Sequence, residues 1–204
     1  MTLDETEQVD ALRGANLPDL LTAFIGGAWT PPGRGLVRDV EDPATEQIVA
    51  RFEESSPDVV ASAIEDAATV GRDWARRDPA DRGRILLRIA DSLRANADLL
   101  ARLESVDSGK PLSQARADIA VSARYFEYYG GAADKFGGET IPQPHGTFAY
   151  TVREPYGVVA HITPWNAPLS QMTRGVAPCL AAGNSVVVKP SELTPLTTLR
   201  GRKL

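Results

Sequence analysis

The sequence predicts an α/β protein, and three observations carry that prediction. Val158 to Ile162 and Ser185 to Val188 are short apolar runs rich in β-branched residues, as in strands buried on both faces. Helix-forming sequence lies between them from about Pro168 to Ala182 and stops at Gly183-Asn184. Proline closes each run, at Thr163-Pro164 and Lys189-Pro190, because it removes a ladder donor and pushes the preceding residue out of the helical region. Strand, helix and strand in one short segment make a crossover, which sets the strands parallel. Open parallel sheets bind ligands beyond the carboxyl ends of their strands. Trp165-Asn166 and Lys189-Ser191-Glu192 fall there, so the residues alone describe a crevice with an amide, an ammonium, a hydroxyl and a carboxylate.

The remaining elements follow in chain order. Residues 1 to about 20 are polar without a sustained period and read as a mobile arm. Phe24 to Trp29 reads as a short strand with a Gly26-Gly27 turn. Val37 to Val40 and Gln47 to Phe52 read as strands around an Asp42-Pro43 turn. These strands cannot bury a core alone and are expected to join a larger sheet. Ser56 caps a helix with Pro57 at its first position, and Val60, Ile64, Ala67, Gly71 and Trp74 share one face. Asp78-Pro79-Ala80-Asp81 opens a second helix with Ile85, Leu86, Ile89 and Leu93 inward. Its arginines Arg82, Arg84, Arg88 and Arg94 are interleaved with Asp81 and Asp91, the pattern of a solvated face.

Asn96 is the expected cap of a third helix, with Leu99, Leu100, Leu103 and Val106 inward and Asp107 to Pro111 as its end. That end is no phosphate-binding loop, since the upstream glycine and the hydroxyl after the lysine are missing. Leu112 to Tyr129 continues as helix, and its aromatics Tyr125, Phe126, Tyr128 and Tyr129 read as packing. Gly138 to Ile141 and Phe148 to Arg153 then form a hairpin around Pro142 to Gly146.

Composition sets outer limits. The 204 residues carry 22 Lys and Arg against 27 Asp and Glu, a net charge of −5, which disfavours nucleic acid and anionic membrane as partners. No apolar run reaches the roughly 18 residues of a membrane span. The acidic N-terminus lacks a signal-peptide core, and the single cysteine suits a reducing compartment, so the expected location is cytoplasmic. His145 and His161, the only histidines, are not at metal-ligand spacing, so no metal site is expected.

The motifs ITPWN, APCLAAGNSVVVKPSE and LTPL, with FIGGAW (Phe24 to Trp29), DSGKPL (Asp107 to Leu112) and YTVREPYGVV (Tyr150 to Val159) upstream, resemble the cofactor-domain core of NAD(P)-dependent aldehyde dehydrogenases. The resemblance runs from about Phe24 to Thr198. It implies the N-terminal part of a Rossmann-like parallel-sheet cofactor domain with an oligomerisation hairpin. Four parts follow: a mobile arm over 1–22, a helical and strand part of the cofactor domain over 23–136, the hairpin over 137–154, and the first βαβ unit over 155–204.

The resemblance assigns roles residue by residue. Asn166 would donate its amide N–H to the aldehyde oxygen as negative charge develops there; a turn asparagine satisfying its own backbone is the plainer alternative. Lys189 and Glu192, with Ser191 between them, would hold the hydroxyls of the adenosine ribose, and a carboxylate near the 2′ position favours NAD over NADP. The plainer alternative is a surface ion pair. Ile162, Thr163, Pro164 and Trp165 would line the cofactor through backbone and packing. The implied partners are a small-molecule aldehyde and, through the 137–154 hairpin, a second copy of the chain. Cys179 falls within the helix and reads as inert packing rather than as a nucleophile.

The chain departs from the family pattern in three places. Ala167 stands where an aromatic often follows the asparagine, and Gly175 where many relatives carry a lysine. Gly201 to Leu204 end the sequence off the pattern, and the resemblance implies that the nucleophilic cysteine and general-base glutamate of the family lie further on. The expectation is a truncated chain that is inactive by itself; a non-catalytic nucleotide-binding or oligomerising module is the alternative.

Overall fold

The structure, a computed structural model, describes residues 5–201. Helix α1 (Glu5–Ala15) forms where a mobile arm was expected, and it lies on α4 (Ala97–Ser108). The reason is a small apolar face invisible to a long-window periodicity: Ala11 and Ala15 are fully buried. Arg102 of α4 also pairs with Glu7 at 2.8 Å.

Strands β1 (Phe24–Ile25) and β2 (Ala28–Trp29) make a tight hairpin through Gly26 and Gly27, both at positive φ. Strands β3 (Val37–Asp42) and β4 (Gln47–Glu53) pair antiparallel with a bulge at Val40/Glu41. Among the described residues these pairs do not join a larger sheet. They bury Val40 instead against Ala15, Leu21, Leu103 and Leu196, a second small core between β3 and the helices.

Helix α2 (Pro57–Arg76) starts at the Ser56 cap, whose hydroxyl accepts the Val59 N–H at 3.3 Å. Its expected apolar face is only partly covered, since Val60 and Ile64 are exposed while Gly71 is buried against Ser185. Helices α3 (Pro79–Ala95) and α5 (Leu112–Ala132) pack closely with α4 around Leu86, Leu93, Leu100, Ile119 and Phe126. Asn96 stands at the N-cap position of α4, as expected, but makes no side-chain cap bond there. Its side-chain amide donates back to the Ser92 carbonyl at 2.8 Å and so closes α3.

Arg82 is another correction. It is buried rather than solvated, and its guanidinium donates to the carbonyls of Arg77 (2.7 Å), Ala181 (3.3 Å) and Ala75 (3.4 Å). Those carbonyls end helices, where a cation is favoured by the helix dipole. With the Trp74 indole donating to Leu180 O at 3.0 Å, Arg82 fixes the C-terminal end of α6 (Pro168–Ala181) to α2 and α3.

The hairpin keeps its place, but its strands β5 (Thr140–Ile141) and β6 (Ala149–Tyr150) are shorter than expected. Strands β7 (Val158–Ile162) and β8 (Ser185–Lys189) pair parallel in register, Val158 opposite Ser185 and Ile162 opposite Lys189. They flank α6 as the crossover requires. They are not buried on both faces, and Ile162 is 73% exposed, because this sheet has only two strands among the described residues. Short helix α7 (Leu196–Gly201) follows β8.

Candidate functional site

The site is built from two loops at the carboxyl ends of β7 and β8. The upstream ends of both strands are fixed first. Gly183, at φ +91°, breaks α6, and the buried Asn184 accepts the Gly157 N–H at 3.1 Å while donating to Cys179 O at 3.2 Å. One amide thus sets where both strands begin, and their parallel register then carries both to the same level at the other end.

At that end Thr163 N–H donates to Lys189 O at 3.1 Å, extending the ladder by one bond. The Thr194 hydroxyl donates to Trp165 O at 3.1 Å and closes the second loop onto the first. The Trp165-Asn166 and Lys189-Ser191-Glu192 clusters are therefore brought side by side. Trp165 and Asn166 are exposed, as is Pro164. Thr163 is buried and its hydroxyl oxygen has no hydrogen-bond partner. Ser191 is buried too, but as a turn residue whose Oγ accepts the Leu193 N–H at 3.2 Å.

Lys189 Nζ donates to Glu192 Oε2 at 3.1 Å, with side chains 61% and 56% exposed. The Glu192 carboxyl sits below the usual carboxylate range, through its own backbone N–H and then the Lys189 ammonium. It therefore presents an ionised acceptor beside a donor at the mouth of the crevice, a set suited to a vicinal diol. Cys179 lies in the last turn of α6, half-buried, and burial pushes its thiol up. His161 Nε2 lies 2.9 Å from Gln171 O. Its ring occupies the space beside Gly175, where an added Cβ would come within 2.3 Å of it. No group of three or more His, Cys, Asp or Glu among the described residues could hold a metal ion, and none of their helices is long and apolar enough to cross a membrane.

Sequence reasoning passed over the carboxylates behind the loops. Glu104 and Asp107 are fully buried on α4, and Lys110 is buried beside them. Lys110 Nζ donates to Glu104 Oε1 at 3.0 Å and to Asp118 Oδ2 at 2.7 Å. Burial pushes the Glu104 carboxyl up, and Lys110 partly offsets it. A signal was present: Glu104 falls four residues after Leu100, and Asp107 four after Leu103, so both lie within the inward stripe.

The aldehyde dehydrogenase family matches residues 29–204. Betaine aldehyde dehydrogenase of Bacillus subtilis is 41% identical over 186 residues, covering 90% of this chain and 38% of that protein. Hydroxyisobutyraldehyde dehydrogenase of Mycolicibacterium austroafricanum is 38% identical over 202 residues, covering 99% of this chain and 40% of that protein. The chain thus spans well under half the length of these relatives. Among solved structures, betaine aldehyde dehydrogenase of Staphylococcus aureus in complex with NAD+ superposes with a TM-score of 0.90 at 36% identity, covering 97% of this chain and 40% of that one. HpcC of Thermus thermophilus gives 0.90 at 34% identity, covering 98% of this chain and 39% of that one.

Proposed function

The chain belongs to the aldehyde dehydrogenase family, and from that premise we propose that it carries the oxyanion amide and part of the adenosine-ribose site of an enzyme oxidising aldehydes to carboxylic acids with NAD(P)+. One observation supports this reading above the others: the bonds Thr163 N–H to Lys189 O and Thr194 Oγ1 to Trp165 O join the two polar loops into one edge. The S. aureus relative is described with NAD+ bound, and the Lys189–Glu192 pair has the donor set such a cofactor needs. When bound, the nicotinamide accepts a hydride. This chain's residues bind and orient: the Glu192 carboxylate accepts ribose hydroxyl protons and Lys189 donates to the sugar oxygens. The Asn166 amide donates to the substrate carbonyl oxygen as a thiol adds to its carbon, stabilising the developing charge. Ile162, Thr163, Pro164 and Trp165 border the cofactor, and the turn at Ser191 sets the height of Glu192.

The 204 residues alone are expected to show no aldehyde oxidation, because a covalent mechanism needs a nucleophile and their one cysteine is locked in α6. Thiol-dependent turnover by the isolated chain, abolished by Asn166→Ala, would overturn this.

The ribose assignment is tested by calorimetric titration of the chain with AMP and with 2′-phospho-AMP. AMP is expected to bind the more tightly, since Glu192 repels a 2′-phosphate. Glu192→Ala should weaken AMP by about tenfold, the loss of one charged hydrogen bond, and narrow the gap between the two ligands. Equal binding of both ligands by wild type and variant would refute the assignment.

The 137–154 hairpin favours self-association. Ile141, Phe148, Tyr150 and Val152 are all exposed on or beside the two-residue pair β5–β6, whose edges lack partners among the described residues. We assign it to contact with a second copy of the chain. Phe148→Lys with Tyr150→Lys is expected to lower the associated fraction in sedimentation velocity; an unchanged distribution would remove the hairpin from the interface.

A further inference from the structure

We propose that Glu104 and Asp107 of α4 are positioning residues for the candidate site, each holding the downstream end of one of its two loops. The proposal rests on the site reading above, but the geometry behind it is independent. A helix begins with backbone N–H groups that have no partner within the helix. Ala167, at the start of α6, has no side chain that can serve them. Glu104 does so from another element: its Oε2 accepts the Leu169 N–H at 3.3 Å. Asp107 does the same for α7, where its Oδ2 accepts the Thr197 N–H at 3.0 Å and the Thr197 hydroxyl at 3.2 Å.

The two helices served are the ones that follow the two loops. The loop 163–167, with Asn166, ends at the N-terminus held by Glu104. The loop 190–195, with Ser191 and Glu192, ends at the N-terminus held by Asp107. Their spacing on α4 places both acceptors on one helical face, so a single rigid element fixes the separation of the loops. Lys110, held by Glu104 and Asp118, keeps the Glu104 carboxylate from turning away. The Thr194–Trp165 bond then passes any displacement of one loop to the other. Asp107 is 1% exposed, and this burial pushes its carboxyl up to about 7 against the pull of the Thr197 and Leu196 backbone N–H groups.

Hydrogen–deuterium exchange on the 204-residue chain tests the proposal, with Glu104→Gln and Asp107→Asn as shape-conserving variants and α2 as internal reference. Glu104→Gln is expected to raise exchange about fivefold in peptides covering 163–172, and Asp107→Asn in peptides covering 190–199, with α2 unchanged. Thr197→Val leaves α4 intact and gives a milder version confined to 190–199. Matched titrations with AMP should show about tenfold weaker binding in Asp107→Asn. A rise that is uniform and includes α2 would mean general destabilisation and overturn the proposal, as would no rise in either loop. Should the wild-type chain bind no AMP, the ribose assignment fails while the exchange pattern still decides the positioning role.

Discussion

Lys110→Met is expected to destabilise the chain by about 3–5 kcal/mol, the cost of removing one partner from a buried ion pair. Glu104 is fully buried, and Lys110 is its cationic partner among the described residues. Methionine fills the space of the lysine stem but leaves a carboxylate in an apolar setting. The sign with pH follows from the direction of the shift. The Glu104 carboxyl is already raised by burial, and loss of the ammonium raises it further. A carboxyl whose folded pKa lies above its unfolded value stabilises fully below the unfolded value, and that stabilisation is lost as pH rises through the folded one. The penalty of Lys110→Met should therefore be smallest near about pH 4 and grow toward about pH 8. Urea unfolding of wild type and variant at several pH values measures this. Asp118→Asn should cost less, since Asp118 is 23% exposed. A penalty that does not change with pH would mean that Glu104 does not carry the charge assigned to it.

The second large effect concerns Gly175 and His161. Alanine usually stabilises an exposed helix interior over glycine by about 1 kcal/mol. At Gly175 the opposite is expected, because the new Cβ would meet the His161 ring at 2.3–2.6 Å. The ring can only yield by leaving Gln171 O, its 2.9 Å partner, so Gly175→Ala should destabilise by about 1–3 kcal/mol. In a His161→Ala background the same substitution should become neutral or stabilising. The double-mutant cycle would then show a coupling of about 2–3 kcal/mol. Additive behaviour would show that the ring and the glycine do not share one space. The histidine on β7 fills the volume that a side chain at position 175 would need.

Local sequence was sufficient wherever the determinant lay within a few residues. The crossover unit could be read because proline and glycine punctuate it: β7 ends at Ile162, just before the expected stop, and β8 runs one residue further than expected, through Lys189 to the edge of Pro190. The Ser56 cap and the Asp78 start were legible for the same reason. The motif residues of the candidate site could be named, since strand ends in a parallel pair dictate where polar clusters gather.

What the sequence could not determine depended on partners distant along the chain. Arg82 reads as one of several surface arginines until α6 delivers the Ala181 carbonyl, 99 residues away. Glu104 reads as an ordinary helix acid until the Leu169 N–H arrives 65 residues later, and Asp107 until Thr197 arrives 90 later. Each is a polar group whose burial is tolerable only because tertiary packing brings a matching donor or acceptor. Periodicity shows which side of a helix faces inward. Only the assembled fold decides which charge on that side finds a partner, and here that decision sets both loops of the candidate site.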